Sequence, residues 1–256
     1  MKISIITATY NSLQHLPDVI ESIQQQTYSN IEYIVIDGGS TDGTVEFLKQ
    51  CNLVSQIISE PDKGIYDALN KGIQMATGDI IGFLHSDDML ALPQTLENIA
   101  KTFLTVSLAT GKKSDVVHGD LVFVDRHNTN KIVRYWKSQP YKHGLLHRGW
   151  MPPHPTVFMC REVYKKHGLF NIKLKCAADY DYILRTFRDP MLTIVYLPEV
   201  ITKMRIGGIS TRGLTNLINK KKEDYWVLKH NQVPFPLWVL FLKNLTKIPQ
   251  LIFKKY

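Results

Sequence analysis

The chain has 256 residues, 44% of them hydrophobic and 21% charged, which excludes a disordered segment and allows one large core with or without an appendage. Its three cysteines, Cys51, Cys160 and Cys176, are odd in number and lack C-x-x-C spacing, so neither a disulfide framework nor a zinc knuckle is suggested and a reducing cytosol fits best. The net charge of +8 is uneven: residues 201–256 carry 11 Lys and Arg against Glu223 and Asp224, a net +9, whereas residues 1–200 carry 20 against 21 acids, a net −1.

The first apolar run, Ile3 to Ile6, reads as a strand that ends in Thr7-Ala8-Thr9-Tyr10-Asn11. Lys2 before it resembles a signal start, but the run is too short, and no cleaved export signal is expected. Leu16, Val19, Ile20 and Ile23 then recur at helical spacing. Ile31 to Ile36 is the second strand and ends in Asp37-Gly38-Gly39-Ser40-Thr41-Asp42. A helix follows on Thr44, Val45, Phe47 and Leu48, with Thr41 or Asp42 as its cap. Val54 to Ser59 is the third strand, Pro61 to Gly64 a turn, and Ile65, Leu69, Ile73 and Met75 mark a helix that Gly78 ends. The fourth strand, Ile80 to Leu84, runs into His85-Ser86-Asp87-Asp88. This alternation predicts an α/β fold with a mostly parallel central sheet flanked by helices.

Beyond residue 88, a helix is expected over Pro93 to Leu108 and a strand over Val116 to Val124. Arg134-Tyr135-Trp136 would form a β-ribbon over the site with that strand. A further strand is expected from Trp150 through Met159, then helices near Arg161 to His167 and over Tyr180 to Phe187. No repeat or flexible linker is evident before about residue 210, which divides the chain into a main domain, 1–210, and a basic amphipathic helical region, 211–256. The longest apolar stretch of that tail, Leu237 to Leu242, is far below the ~18 residues of a membrane span. Its interleaved lysines and aromatics suit either the surface of an anionic membrane or docking on the domain or a second subunit. Nucleic acid is not expected as a partner, because no recognised binding motif accompanies the charge.

The acidic pair is the most informative feature. Adjacent carboxylates at the end of a buried strand repel each other and desolvate badly, and a divalent cation would remove that cost. Three apolar strands converge on polar ends, and in open α/β sheets ligands sit outside the carboxyl ends of strands. That position suits a nucleotide.

Five segments in order, ITATYNS at 6–12, VIDGGSTDGT at 35–44, EPDKGIYDALNKG at 60–72, ATGDIIGFLHSDD at 76–88 and AADYDYILR at 177–185, resemble the inverting family 2 glycosyltransferases of GT-A fold. The resemblance spans roughly residues 1–210. It implies that Asp37 contacts a uracil ring, whose imide N–H a carboxylate accepts, with Thr7, Ala8, Thr9 and Tyr10 lining the same pocket. A local alternative has Asp37 and Ser40 building an Asx-type turn beside Gly38-Gly39, and the two are compatible. Asp87 is the expected ligand of Mn²⁺ or Mg²⁺, bridging a diphosphate. Asp88 ranks below it and either fixes the loop or caps a helix. His85 stands where relatives often carry an acid; it binds the ribose, reaches a metal-bound water or fills space, with Ser86 beside it. Lys63 is either a phosphate-directed cation or a solvated turn residue, while Gly64 permits close backbone approach and Asp67 and Asn70 project from the helix.

The resemblance further implies that Asp179 is the catalytic base, with a pKa raised by apolar surroundings; Asp181 is the lesser candidate, and a purely structural pair the alternative. Arg205, before Gly207-Gly208-Ile209-Ser210, either swings over the diphosphate on a glycine-hinged loop or belongs to the basic tail. Trp150, His154 and Asp181 are candidates for the acceptor side. The implied activity is metal-dependent, inverting transfer of a hexose from a nucleotide sugar, expected to be a UDP-sugar, to an acceptor hydroxyl. By analogy the acceptor is a sugar on a polyprenyl diphosphate, and the enzyme sits in the cytoplasm on the inner face of a bacterial membrane, in O-antigen or surface-polysaccharide synthesis. The rivals are a sugar nucleotidyltransferase, whose Gly-rich G-x-G-x-R loop Thr7 to Ser12 lacks, and an idle nucleotide-sugar-binding scaffold subunit. The oligomeric state is not legible.

Overall fold

The computed structural model describes residues 1–110, 112, 114–207 and 214–246. Its first half follows the apolar runs. Strands Ile3–Thr9 (β1), Ile31–Asp37 (β2), Val54–Ser59 (β3) and Ile80–Phe83 (β4) alternate with helices Leu16–Gln24 (α1), Thr44–Lys49 (α2) and Ile65–Met75 (α3). Every position of β1 and β4, and all of β2 except Ile31, is buried. Such strands read as continuous rather than alternating apolar runs because helices cover both faces of a parallel sheet. β1 pairs in parallel with β2 and β4, and β2 with β3. α1 buries Leu16, Val19, Ile20 and Ile23, the residues whose spacing announced it. Gly43, at φ +93°, occupies the cap position of α2, and Asp42 accepts the Thr44 amide at 3.1 Å from one residue further back. α3 stops at Met75 because Ala76 turns extended. Gly78 is instead a close-packing glycine, since a Cβ there would sit 2.5 Å from Ser4 Oγ.

The second half departs from a parallel layout. It contains Asp88–Leu90 (β5), Thr95–Thr110 (α4), Val116–Val124 (β6), Ile132–Trp136 (β7), Phe158–Cys160 (β8), Arg161–His167 (α5), Ala178–Phe187 (α6), Ile194–Arg205 (β9), Leu214–His230 (α7) and Pro236–Leu245 (α8). The sheet order is β3-β2-β1-β4-β8-β6-β9-β5, with β7 added on β6. β8 runs antiparallel to β4 and β6, and β5 antiparallel to β9. The strand expected from Trp150 shrinks to β8, because Pro152, Pro153 and Pro155 lack ladder donors and His154–Thr156 turns as a short 3₁₀ segment. β7 does pair with β6, yet none of its residues reaches the large cavity described below, so it is not a cover over the site.

The described part of the basic tail packs on the domain. Val239 and Lys243 of α8 are buried, and α8 crosses Gly149 so closely that a Cβ there would lie 2.6 Å from the Val239 carbonyl oxygen. Residues 247–256, including Lys247, Lys254 and Lys255, lie outside the described residues.

Two sites test this packing. A Cβ on Gly82 of β4 would stand 2.2 Å from the Phe158 ring, so Gly82→Ala is expected to destabilise the protein by about 1–3 kcal/mol in urea unfolding. Glu32, buried in β2, accepts hydrogen bonds from Lys2 Nζ at 2.8 Å, Ser4 Oγ at 2.5 Å and the Thr77 amide and hydroxyl at 2.8 and 2.6 Å. Burial works to raise its pKa, but these donors outweigh it and pull the carboxyl down to about 2. A depressed folded-state pKa stabilises above the unfolded value of about 4.3, and roughly 3 kcal/mol is lost as pH falls from there towards 2. Glu32→Gln should therefore flatten the acid limb of stability measured by urea unfolding against pH.

Candidate active site

The strand order reverses between β1 and β4: β2 and β3 lie to one side of β1, and β4 and the rest to the other. Such a switch point opens a crevice at the carboxyl ends of the two central strands. A cavity of about 720 Å³ occupies that place, within the range of small-molecule sites. Ala8, Thr9 and Tyr10 enter it from the end of β1, and His85, Ser86 and Asp87 from the end of β4. Gly64, His154 and Asp179 complete the set of expected residues that line it.

Asp179 is the best-supported acid in the cavity. It lies in the first turn of α6, and its two carboxylate oxygens accept from different elements: Tyr66 O–H of α3 donates to Oδ1 at 3.1 Å, and His154 Nδ1 lies 3.1 Å from Oδ2. No side chain of α6 caps its N-terminus. Glu223 of α7 instead holds the loop that leads into it, accepting the amides of Lys175, Cys176 and the cap residue Ala177 at 3.0, 2.7 and 3.0 Å. A carboxylate there also favours the positive end of the helix dipole. Behind the same turn, Lys243 Nζ pairs with Asp224 at 3.0 Å and stands 3.5 Å from the Tyr180 ring centroid.

The electrostatics correct one expectation. Burial does push the Asp179 pKa up, but His154, Lys220, Lys243 and the Tyr180 amide outweigh it, and the group ends below the usual carboxylate range. Apolar neighbours therefore do not set its titration; the surrounding cations do. Tyr66 moves the other way, raised well above its ordinary value by burial and by Asp179, so it stays a donor. His85 Nε2 lies 3.2 Å from His154 Nε2, and burial with His154 beside it brings the His85 pKa down to about 3.

At the β4 end the acidic pair separates. Asp87 faces the cavity, whereas Asp88 is fully buried in β5 and caps no helix. Burial and the like charge of Asp87 push the Asp88 pKa well above the usual range against the opposing pull of Arg205. Asp87 is thus the single member of the pair placed to meet a cation in the cavity. Among the described residues no cluster of three or more His, Cys, Asp or Glu side chains forms a ready-made metal cage. A lone carboxylate is still adequate for Mg²⁺ or Mn²⁺ shared with phosphate oxygens, which is how such ions bind alongside nucleotides.

Several expected residues serve the walls rather than the cavity. Asp37 is fully buried, and its oxygens accept the Gly39 and Ser40 amides at 3.0 and 2.9 Å, Ser59 Oγ at 2.7 Å and the Ser40 hydroxyl. It builds the turn at the cavity's rim and is not among the residues that line the cavity. Asp62, missed in the sequence, does line the cavity beside Tyr10 and Gly38. Thr7 Oγ1 donates to the Leu84 carbonyl at 2.6 Å and ties β1 to the β4 end. Asn70 exchanges hydrogen bonds of 2.9 Å with the Phe170 backbone, and Asp67 accepts the Lys63 amide. Lys63 itself is exposed away from the cavity; the cations that line it are Arg126, Lys175 and Lys220, from segments with no motif to announce them. Arg205 is buried at the end of β9, donates to the Asp87 carbonyl at 2.8 Å and pairs with Asp18, so it clamps the Asp87 loop rather than swinging over it. Gly208 to Ser210 of its expected hinge lie outside the described residues. Trp150 stacks on Tyr141, and Asp181 is held by Arg185 and Asn231 at 3.1 and 2.8 Å; neither lines the cavity.

The family model "Glycosyl transferase family 2" matches residues 4–167. A Mycobacterium tuberculosis protein named PGL/p-HBAD biosynthesis glycosyltransferase is 31% identical over 86% of this chain and 81% of its own. A Haemophilus influenzae protein named as an uncharacterised glycosyltransferase is 30% identical over 88% and 85%. Among solved structures, S. aureus TarS 1-349 in complex with UDP-GlcNAc superposes with a TM-score of 0.67 at 20% identity, covering 91% of this chain and 66% of that one. The mannosyltransferase PcManGT from Pyrobaculum calidifontis, in complex with GDP-Man and Mn²⁺, gives 0.62 at 17% identity, over 100% and 76%. With the family model covering more than half of its length and curated relatives matching nearly end to end, the chain belongs to glycosyltransferase family 2 and is a glycosyltransferase of GT-A fold.

Proposed function

We propose that this glycosyltransferase moves a hexose from a UDP-sugar to an acceptor hydroxyl with inversion, Asp179 acting as the base. The observation that carries the reading is that Asp87 and Asp179, 92 positions apart in sequence, line one crevice at the switch point of the sheet. The base and ribose of the donor would lie against Ala8 to Tyr10, with the Tyr10 ring as a packing surface and Asp62 as the nearby acceptor for the uracil imide. Asp87 would hold Mn²⁺ or Mg²⁺, which supplies charge neutralisation for the departing diphosphate. Arg126 and Lys220 add positive potential from this chain. The acceptor O–H gives its proton to the Asp179 carboxylate as its oxygen attacks the anomeric carbon; the bond from that carbon to the diphosphate breaks, and its electron pair leaves on the diphosphate. Tyr66 and His154 hold both oxygens of Asp179 without consuming every lone pair, so the base is oriented and still open.

The neighbour bound to UDP-GlcNAc supports UDP over GDP, and the neighbour bound to GDP-Man makes GDP the second choice. Thermal stabilisation separates them: UDP with Mn²⁺ is expected to raise the Tm more than GDP with Mn²⁺ or UDP alone, because selective binding to the folded state stabilises it. Asp179→Asn should keep that shift while transfer falls by at least about 10³-fold; an active variant would reject Asp179 as the base.

The acceptor is proposed to be lipid-linked, met at an anionic membrane surface on the cytoplasmic side. No described helix is long and apolar enough to cross a membrane. Yet Phe235 is 79% exposed, Leu237 73% and Trp238 59%, Phe241 stacks on Trp238, and Trp226 of α7 is exposed as well. Lys220 of that same α7 lines the cavity, so the helix that carries the exposed Trp226 also reaches the site. An aromatic face with basic neighbours suits the headgroup region of anionic lipid. Trp238→Glu combined with Phe241→Glu should cut co-sedimentation with anionic vesicles by about tenfold or more and leave the UDP-induced Tm shift in place.

A further inference from the structure

Three side chains from separate parts of the chain form one hydrogen-bonded line at the back of the cavity. His85 follows β4, His154 opens the 3₁₀ turn before β8, and Asp179 starts α6. His85 Nε2 and His154 Nε2 are 3.2 Å apart, and His154 Nδ1 is 3.1 Å from Asp179 Oδ2. A hydrogen bond between two imidazole nitrogens needs one proton, carried by one ring, and a carboxylate can only accept. The order is then determined: His154 carries its proton on Nδ1 and donates it to Asp179, its Nε2 lone pair accepts from His85, and His85 carries its proton on Nε2. His85 Nδ1 has no hydrogen-bond partner, so its ring is held from one side alone.

Resting on the reading of Asp179 as the base, we propose that His154 is a positioning residue for that base and that His85 locks His154 in the required tautomer. The opposite tautomer of His154 would set a lone pair against a carboxylate and leave two N–H groups facing each other. The line has two effects on the site. It fixes the rotamer of Asp179 together with Tyr66, so that the remaining lone pairs of the carboxylate stay towards the acceptor. It also favours the ionised form of Asp179, because the N–H that the neutral His154 ring presents to Oδ2 at 3.1 Å stabilises a charged carboxylate more than a protonated one. The other ionisable groups around the carboxylate are Tyr66 of α3, Cys176, Lys220 of α7 and Lys243 of α8. Lys220 and Lys243 act in the same direction as His154; Tyr66 donates a hydrogen bond. His154 itself has its pKa lowered by burial against the opposing pull of Asp179, which favours the neutral ring that the line requires.

The first experiment needs no substrate. Nitrogen-15 NMR of histidine-labelled, ligand-free protein at pH 7, assigned with the variants below, is expected to show the His154 proton on Nδ1 and the His85 proton on Nε2. The reverse tautomers overturn the proposal whether or not the protein is active. The second uses transfer or hydrolysis of UDP-sugars by the intact chain. His154→Leu should lower kcat by about 10- to 100-fold with little change in donor KM, and should move the acid limb of kcat to higher pH, because Asp179 loses its nearest stabilising neighbour. His154→Asn, which keeps an N–H donor near the Nδ1 position, should recover about tenfold of that loss. His85→Gln, which keeps a donor towards His154, should outperform His85→Leu. If the wild type turns over but Leu and Asn at position 154 behave alike and the acid limb stays in place, the positioning role fails while the reading of Asp179 stands. If Asp179→Asn is active, the reading itself fails.

Discussion

The structure depends on the reversal of strand order about β1. Three parallel strands, β1 to β3, step outwards in one direction, and β4 is placed on the other side of β1. A helix that follows β1 and a loop that follows β4 must therefore diverge, and the gap between them cannot be filled by a crossover. Thr7 holds this divergence in register by bonding the Leu84 carbonyl, and Ser12 and Ser86 meet at 3.0 Å further out. Every donor, acid and ring that the site uses is hung around this gap. The antiparallel half then closes it: β8 brings His154 in from one side, and β9 brings Arg205 in beneath Asp87.

How legible this was in the sequence varies along the chain. β1 to β4 and their helices were readable because continuous apolar strands and helically spaced Leu, Val and Ile carry local signals. β5 and β9 were not, since a three-residue strand and a half-exposed strand interrupted by Pro198 gain their identity only from pairing with each other and with β6. The acidic pair showed a similar limit. The sequence puts Asp87 and Asp88 at one strand end, but Asp87 belongs to the turn after β4, whereas Asp88 opens β5 and is fully buried there. Tyr66, Asp62 and Arg126 were missed because a tyrosine, an acid in a turn and an arginine in a loop are individually ordinary; their role exists only once segments far apart are brought together.

Asp37 carries a related lesson. Its placement at a strand end suggested a ligand contact, and its own loop and Ser59 already use Oδ2 for three hydrogen bonds and Oδ1 for one. The aspartate shapes the rim on which Gly38 and Asp62 meet Tyr10, and so acts on the pocket from beneath it. Asp179 shows the opposite case. It is held by two donors and surrounded by cations, and still lines the cavity. What these neighbours give the proposed base is orientation and continued ionisation rather than an elevated affinity for protons.

The C-terminal helices are part of that arrangement. Glu223 holds the loop that leads into α6 and Lys243 stands behind its first turn, while the opposite face of α8 shows Phe235, Leu237 and Trp238 outward. One short segment therefore faces both α6 and the surroundings. Tails in such a protein are not interchangeable address labels: a chimera that borrowed the last helices of a relative would import a different electrostatic setting for Asp179 along with the new surface, and any divergence of location within the lineage would have had to proceed in step with the tuning of the chemistry.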